Sequence, residues 1–280
     1  MREKITTLLI RSVSAAVMLV VVVGATMWCS LTFGALLLAI TVGCVYEFNR
    51  ISRTLGYEPL EAMNIATSIS IFAFAYDGFF NSSALSIPIA LFIMLLVPLT
   101  FIVELLKGRK NAIVNIALTL MPLLYIAAPL ALLAGIPIQI SGGVWSPIVM
   151  LAYFVVVWSN DVFAYLFGVT LGRHPLCATI SPKKSWEGFV GGVIGSIATA
   201  CLVANFVGGD MALWIGIAIV ATTTGVLGDL VESMFKRSVE IKDSGSLMPG
   251  HGGWLDRFDS LILSAPFVFV FLLIVNLIKN

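Results

Sequence analysis

Gly228-Asp229-Leu230-Val231-Glu232-Ser233-Met234-Phe235-Lys236-Arg237 ends a long apolar run, and Asp256-Arg257-Phe258-Asp259 opens the next. Between them lie Lys242-Asp243 and the glycine-rich Pro249-Gly250-His251-Gly252-Gly253. A charge at the centre of a membrane helix costs about 2.5–3.5 kcal/mol, so acids and bases gathered between two apolar runs belong at a membrane boundary and have a use there. The stretch therefore predicts helices that span a bilayer, with the polar chemistry in the loops that join them.

The rest of the chain agrees. Its 280 residues are 59% hydrophobic and 11% charged, with a mean hydropathy of +1.04. Soluble domains carry about 25% charged residues, so the composition excludes one and predicts an all-α, polytopic integral membrane protein. About nine spans are expected, near 8–28, 31–48, 62–80, 84–106, 112–135, 146–170, 187–208, 211–231 and 257–278. Residues 1–145 hold the first five and look generic. Residues 146–280 hold the rest, with polar loops at 171–186 and 232–256.

Basic residues mark every second connection. Arg2 and Lys4, Arg50 and Arg53, Lys107 to Lys110, Arg173 to Lys184, and Lys236 to Lys242 alternate with nearly bare loops; only Lys279 departs. The positive-inside rule then places the N-terminus in the cytoplasm, the C-terminus outside, and both polar loops on the cytoplasmic side. The apolar run after Lys4 continues to about Trp28 with no cleavage site evident, so it reads as a retained helix rather than a signal. Cys29, Cys44, Cys177 and Cys201 are scattered and read as small hydrophobes, with no disulfide framework or zinc site. Glu47, Asp77 and Glu104, isolated near span ends, are expected to be solvated or interfacial.

Candidate chemistry concentrates in the second half. Asn160 and Asp161 lie inside span six, where an acid is expected to face the bundle interior, and Asp161, Tyr165 and Gly168 share a helix face. Small residues on that face let another helix approach. In Ser181-Pro182-Lys183-Lys184-Ser185-Trp186-Glu187-Gly188, Ser181 and Pro182 suit an N-cap and first helical position. Lys183 and Lys184 over a helix N-terminus, near Glu187, make an anion site; a purely topogenic basic cluster is the plainer alternative. Asp229, Glu232 and Lys236 form one helical stripe, and Arg237 can grip phosphate as a fork. Asp256 and Asp259, three apart, share a helix face at the positive end of its dipole. With Asp229 they make an oxygen-rich site suited to Mg²⁺ and substrate phosphates. His251 is open between phosphate contact, acid–base work and holding the loop.

These residues resemble the phosphatidate cytidylyltransferase (CDP-diacylglycerol synthase) family. Ser233, Phe235, Lys236, Arg237, Lys242, Asp243, Gly245, Pro249, His251, Gly252, Gly253, Asp256, Arg257, Phe258 and Asp259 stand in register with its signature, and 181–188 is similar to a second family motif. Ser185 stands where Thr is expected, Met248 where Leu, Ile or Phe is usual, and Trp254 where a smaller apolar residue is usual. The resemblance covers about 158–260. It implies that CTP and phosphatidate give CDP-diacylglycerol and pyrophosphate. It also implies Mg²⁺, with room for a second, monovalent or divalent, cation.

By the same resemblance Asp229, Asp256 and Asp259 would bind metal. Lys183, Lys184, Lys236, Arg237, Lys242 and Arg257 would clamp phosphates, and Gly252-Gly253 would help seat the nucleotide. Asn160, Asp161, Ser181, Glu187, Asp243 and His251 complete the expected substrate-binding set. The expected partners are CTP, phosphatidate and membrane lipids, without nucleic acid; a homodimer is left open. The expected location is a bacterial inner membrane. Two rivals stand beside this reading: a CTP-dependent enzyme acting on another lipid (an ether-lipid cytidylyltransferase or a polyprenol kinase), and a cation-coupled transporter using Asp161 and Asp229.

Overall fold

The computed structural model describes residues 2–80, 86–241, 244–245 and 252–279, with side chains from Ser12 onward. Among the described residues it is nearly all helix: α1 (Arg2–Trp28), α2 (Ser30–Thr54), α3 (Glu61–Phe80), α4 (Ser86–Lys107), α5 (Ala112–Pro122), α6 (Ala128–Ile140), α7 (Pro147–Leu171), α8 (Trp186–Val207), α9 (Met211–Ser238) and α10 (Leu255–Lys279). Pro122 cannot continue an α-helical hydrogen-bond ladder, and a π-helical turn over Leu123–Ala127 joins α5 to α6 as one rod. Seven helices, counting that rod once, are long and apolar enough to cross a membrane, and α1 adds a shorter apolar stretch, Ser12–Trp28. The molecule is a polytopic helical membrane protein, as its composition requires.

The chain forms two compact units, 1–135 with 238–258, and 136–237 with 259–280. In the first, α2 supplies the central buried stripe of Phe33, Leu37, Ile40, Cys44 and Phe48. Gly34 receives the Tyr76 ring of α3, where a Cβ would collide with it. Three acids expected at the interface are instead buried: Glu47 is 3%, Asp77 5% and Glu104 1% exposed. Glu104 is neutralised by Arg109, whose Nε donates to Oε1 at 3.0 Å, and by Asn115, whose Nδ2 donates to the same oxygen at 2.8 Å. Arg109 also reaches Glu58 at 2.9 Å. Burial of charge with this many partners is tolerable where burial of a lone carboxylate is not.

In the second unit α7 and α8 pack along a stripe of small residues. A Cβ on Gly191 or Gly195 would strike the Phe167 or Phe163 ring, and one on Gly188 would lie 2.8 Å from the Ala164 carbonyl oxygen. Such small faces let membrane helices approach until dispersion contacts replace a hydrophobic driving force. α9 and α10 use the same device, since a Cβ on Gly228 would lie 2.5 Å from the carbonyl oxygen of Asp259. Trp214, Tyr153, Met150, Ile217 and Ile262 fill the interior. Between α7 and α8 stands a short antiparallel hairpin, β1 (Pro175–Cys177) with β2 (Ser181–Ser185).

Candidate functional site

The hairpin corrects one expectation at once. Ser181 and Pro182 do not start a helix; they pair within β2, and the N-cap of α8 is Ser185, whose Oγ accepts from Gly188 N at 3.1 Å. The helix starts later because residues 181–185 pair with β1, Pro175 opposite Ser185 and Cys177 opposite Ser181, and so cannot also be helical. Lys183 and Lys184 therefore sit on a strand rather than over a helix N-terminus. Glu187 closes the hairpin instead of joining them: its Oε2 accepts from the Arg173 and His174 amides at 3.1 and 3.2 Å, and Oε1 meets His174 Nδ1 at 2.6 Å.

Placement on the strand brings Lys184 to the foot of α9, where its Nζ pairs with Asp229 Oδ2. Ser233, one turn along, donates to Asp229 Oδ1 at 3.2 Å. Lys236 turns back to Glu232 at 2.5 Å, so the predicted Asp229–Glu232–Lys236 stripe exists but is split between two partners. Asp259 is half-buried, its Oδ1 accepting from Ser260 N at 2.7 Å, and the charges acting on it are those of Asp229, Lys184 and Lys236. Two carboxylates and two ammonium groups thus share one locality in the second unit. Arg237 is exposed near the end of α9. Asn160 is 5% exposed and lies where a Cβ on Gly192 would fall. Asp161, expected inside, has its side chain on the surface of the chain beside it, accepting from Asn160 Nδ2 at 3.3 Å.

The first unit holds the other part of the signature. Asp256 Oδ2 accepts three hydrogen bonds, from Ser244 N at 2.9 Å, Ser244 Oγ at 3.0 Å and Gly253 N at 2.8 Å. Gly252 has φ +81°, a conformation that favours glycine, and a Cβ there would lie 2.6 Å from Asp256 Oδ2. Arg257 is exposed in the first turn of α10. Lys242, Asp243 and His251 lie outside the described residues.

Glu47 of α2, set aside in the sequence, enters this loop. Its Oε2 accepts from Ser244 Oγ at 2.9 Å and from Leu255 N at 3.0 Å. The one signal that could have found it is the pattern Ile40, Gly43, Glu47, in which a small residue and an acid interrupt an otherwise apolar helix face.

Among the described residues no group of three or more His, Cys, Asp or Glu side chains is placed to hold a metal ion. Asp229 and Asp259 nevertheless provide two carboxylates, and Mg²⁺ usually takes one or two with substrate phosphates and water completing its shell. The donor set in the second unit fits such an ion.

Fold and site together define a helical membrane protein with a paired acid–base cluster at the end of one helix. A sequence model of the cytidylyltransferase family matches residues 9–275, and the chain belongs to that family. It is 48% identical over 122 residues to a phosphatidate cytidylyltransferase of Staphylococcus saprophyticus. Proteins of the same name from Staphylococcus aureus and Staphylococcus haemolyticus are 46% and 45% identical over the same length. Each match takes in 43% of this chain and 47% of the relative, so the chain spans about half the length of the curated relatives it matches.

Proposed function

We propose that this chain is a phosphatidate cytidylyltransferase, joining CTP and phosphatidate into CDP-diacylglycerol with release of pyrophosphate. The observation that carries the reading is the Lys184–Asp229 pair beside Asp259: a cation from the second motif is held on an acid one helical turn before the first motif begins at Ser233. The names of the relatives support the same reaction.

A phosphatidate oxygen attacks the α-phosphorus of CTP, the bond to the bridging α,β-oxygen breaks, and the electron pair leaves with pyrophosphate. The nucleophile is already an anionic oxygen, so no strong base is required. The difficulty is to bring two polyanions together, and positioning with cationic stabilisation supplies that. Asp229 and Asp259 would hold Mg²⁺, which when bound neutralises phosphate charge. Asp256 enters on the sequence alone, as the carboxylate three residues before Asp259. Lys184 and Lys236 would meet phosphate oxygens, with Lys183, Arg237, Lys242 and Arg257 as further clamps. Gly252 and Gly253 let backbone approach the nucleotide. Asn160, Asp161, Ser181, Glu187, Asp243 and His251 complete the substrate-binding residues.

In this reading the chain crosses a bacterial inner membrane nine times, N-terminus in the cytoplasm and C-terminus outside, and loops 171–186 and 232–256 meet CTP from the cytoplasm. Lipid tails reach the site from the bilayer. The test is conversion of labelled CTP by detergent-purified protein given phosphatidate. Labelled CDP-diacylglycerol is expected. Labelling of another lipid only would move the substrate, and no labelled lipid from folded protein would sink the proposal.

A further inference from the structure

Glu47 is a charged group 3% exposed within an apolar helix, and none of the chemistry above uses it. Its surroundings are specific. Ser244, 197 residues along the chain, has its Oγ 2.9 Å from Glu47 Oε2 and 3.0 Å from Asp256 Oδ2, so a single hydroxyl is shared between the two carboxylates. Leu255 N–H, at the start of α10, donates to the same Glu47 oxygen at 3.0 Å. A negative charge there also meets the positive end of the helix dipole. Gly245 and Gly253 both crowd this carboxylate, and a Cβ on either would collide with it. One turn earlier on α2, Gly43 lies under Trp254, whose Cδ1 would stand 2.6 Å from a Cβ.

We propose that Glu47 is a positioning residue for nucleotide binding: it anchors the loop ends at Ser244–Gly245 and Gly252–Leu255 and, through Ser244, sets the orientation of Asp256. This rests on the reading of the chain as a CTP-dependent enzyme. It explains why this chain has a serine at 244 and glycines at 245 and 253. The hydroxyl bridges two acids, and the glycines leave room for the carboxylate.

The test compares Glu47→Gln, Ser244→Ala and wild type in detergent, by steady-state kinetics and by hydrogen exchange at the Gly253 and Leu255 amides. Gln keeps the size but replaces one acceptor oxygen by a donor. Each variant is expected to raise the KM for CTP by about tenfold, the scale of lost supporting contacts around a site. The KM for phosphatidate stays at its wild-type value, and the two amides exchange faster while the α7–α8 amides do not. A role in folding alone would lower kcat through a smaller active fraction and leave both KM values unchanged; that result, or wild-type kinetics and exchange, overturns the proposal. If Glu47→Gln does not fold, Ser244→Ala decides on the same criteria. If wild type makes no lipid product, the proposed function fails, and the exchange measurement still tests the anchor.

Discussion

At the residue scale, the contrast between two ion pairs shows how environment sets their use. The Lys184 and Asp229 side chains are 27% and 35% exposed, so their attraction is screened by water. Such a pair contributes about 0–1 kcal/mol to stability. Lys184→Ala is therefore expected to leave thermal unfolding nearly unchanged while lowering kcat/KM by about 100-fold, the scale of losing one preorganised charge. Calorimetry and turnover on one preparation check both halves. The Arg109–Glu104 pair is different, because Glu104 is 1% exposed. Removing the guanidinium strands a buried carboxylate, and Arg109→Met is expected to destabilise the fold by about 3–5 kcal/mol, read from denaturant unfolding in detergent. Asp256→Asn should leave a folded protein without measurable turnover, because the amide keeps one acceptor oxygen for Ser244 and Gly253 but loses the negative charge; wild-type-like rates would remove Asp256 from the site.

At the element scale, α2 serves as a platform through one face. Gly43 makes room for Trp254, the bulky residue standing where a smaller one is usual, and Trp254 stacks on Phe258 at 6.2 Å. An alanine in a helix is favoured over glycine by about 1 kcal/mol, whereas overpacking costs about 1–3 kcal/mol. Gly43→Ala alone should thus destabilise, and Gly43→Ala in a Trp254→Leu background should stabilise; additivity of the two would refute the fit. The helices themselves were legible, since apolar runs at 31–48, 146–170 and 187–208 fall within α2, α7 and α8 to within a residue or so. What precedes α8 was not, because Ser181-Pro182 satisfies the local rules for a helix start, and only pairing with β1 makes 181–185 a strand that ends at the Ser185 cap. The partners of Glu47 were not legible for a related reason: Ser244 and Leu255 are brought to it by tertiary structure, and local periodicity carries no record of them.

At the scale of the whole molecule, a membrane protein keeps polar chemistry only where partners satisfy it. Each unit does so with a different device: a hydrogen-bonded knot of Glu47, Ser244 and Asp256 in one, and a Lys184–Asp229 pair beside Asp259 in the other. The Lys-Lys, Lys-Arg and Asp-Arg-Phe-Asp stretches stood out in the sequence because charge beside hydrocarbon is costly, and phosphate and metal chemistry is the use proposed for them. Their division into these two devices needed coordinates. The claim at the centre is that the acid pair of the second unit performs divalent-ion-dependent cytidylyl transfer. The measurement that tests it most directly is Mg²⁺ titration of labelled CDP-diacylglycerol formation by wild type and Asp259→Asn, side by side, each shown to be folded. Product that rises with Mg²⁺, vanishes with EDTA and is absent from the variant is the predicted result. Product formed without a divalent ion, or at wild-type rates by Asp259→Asn, would contradict it.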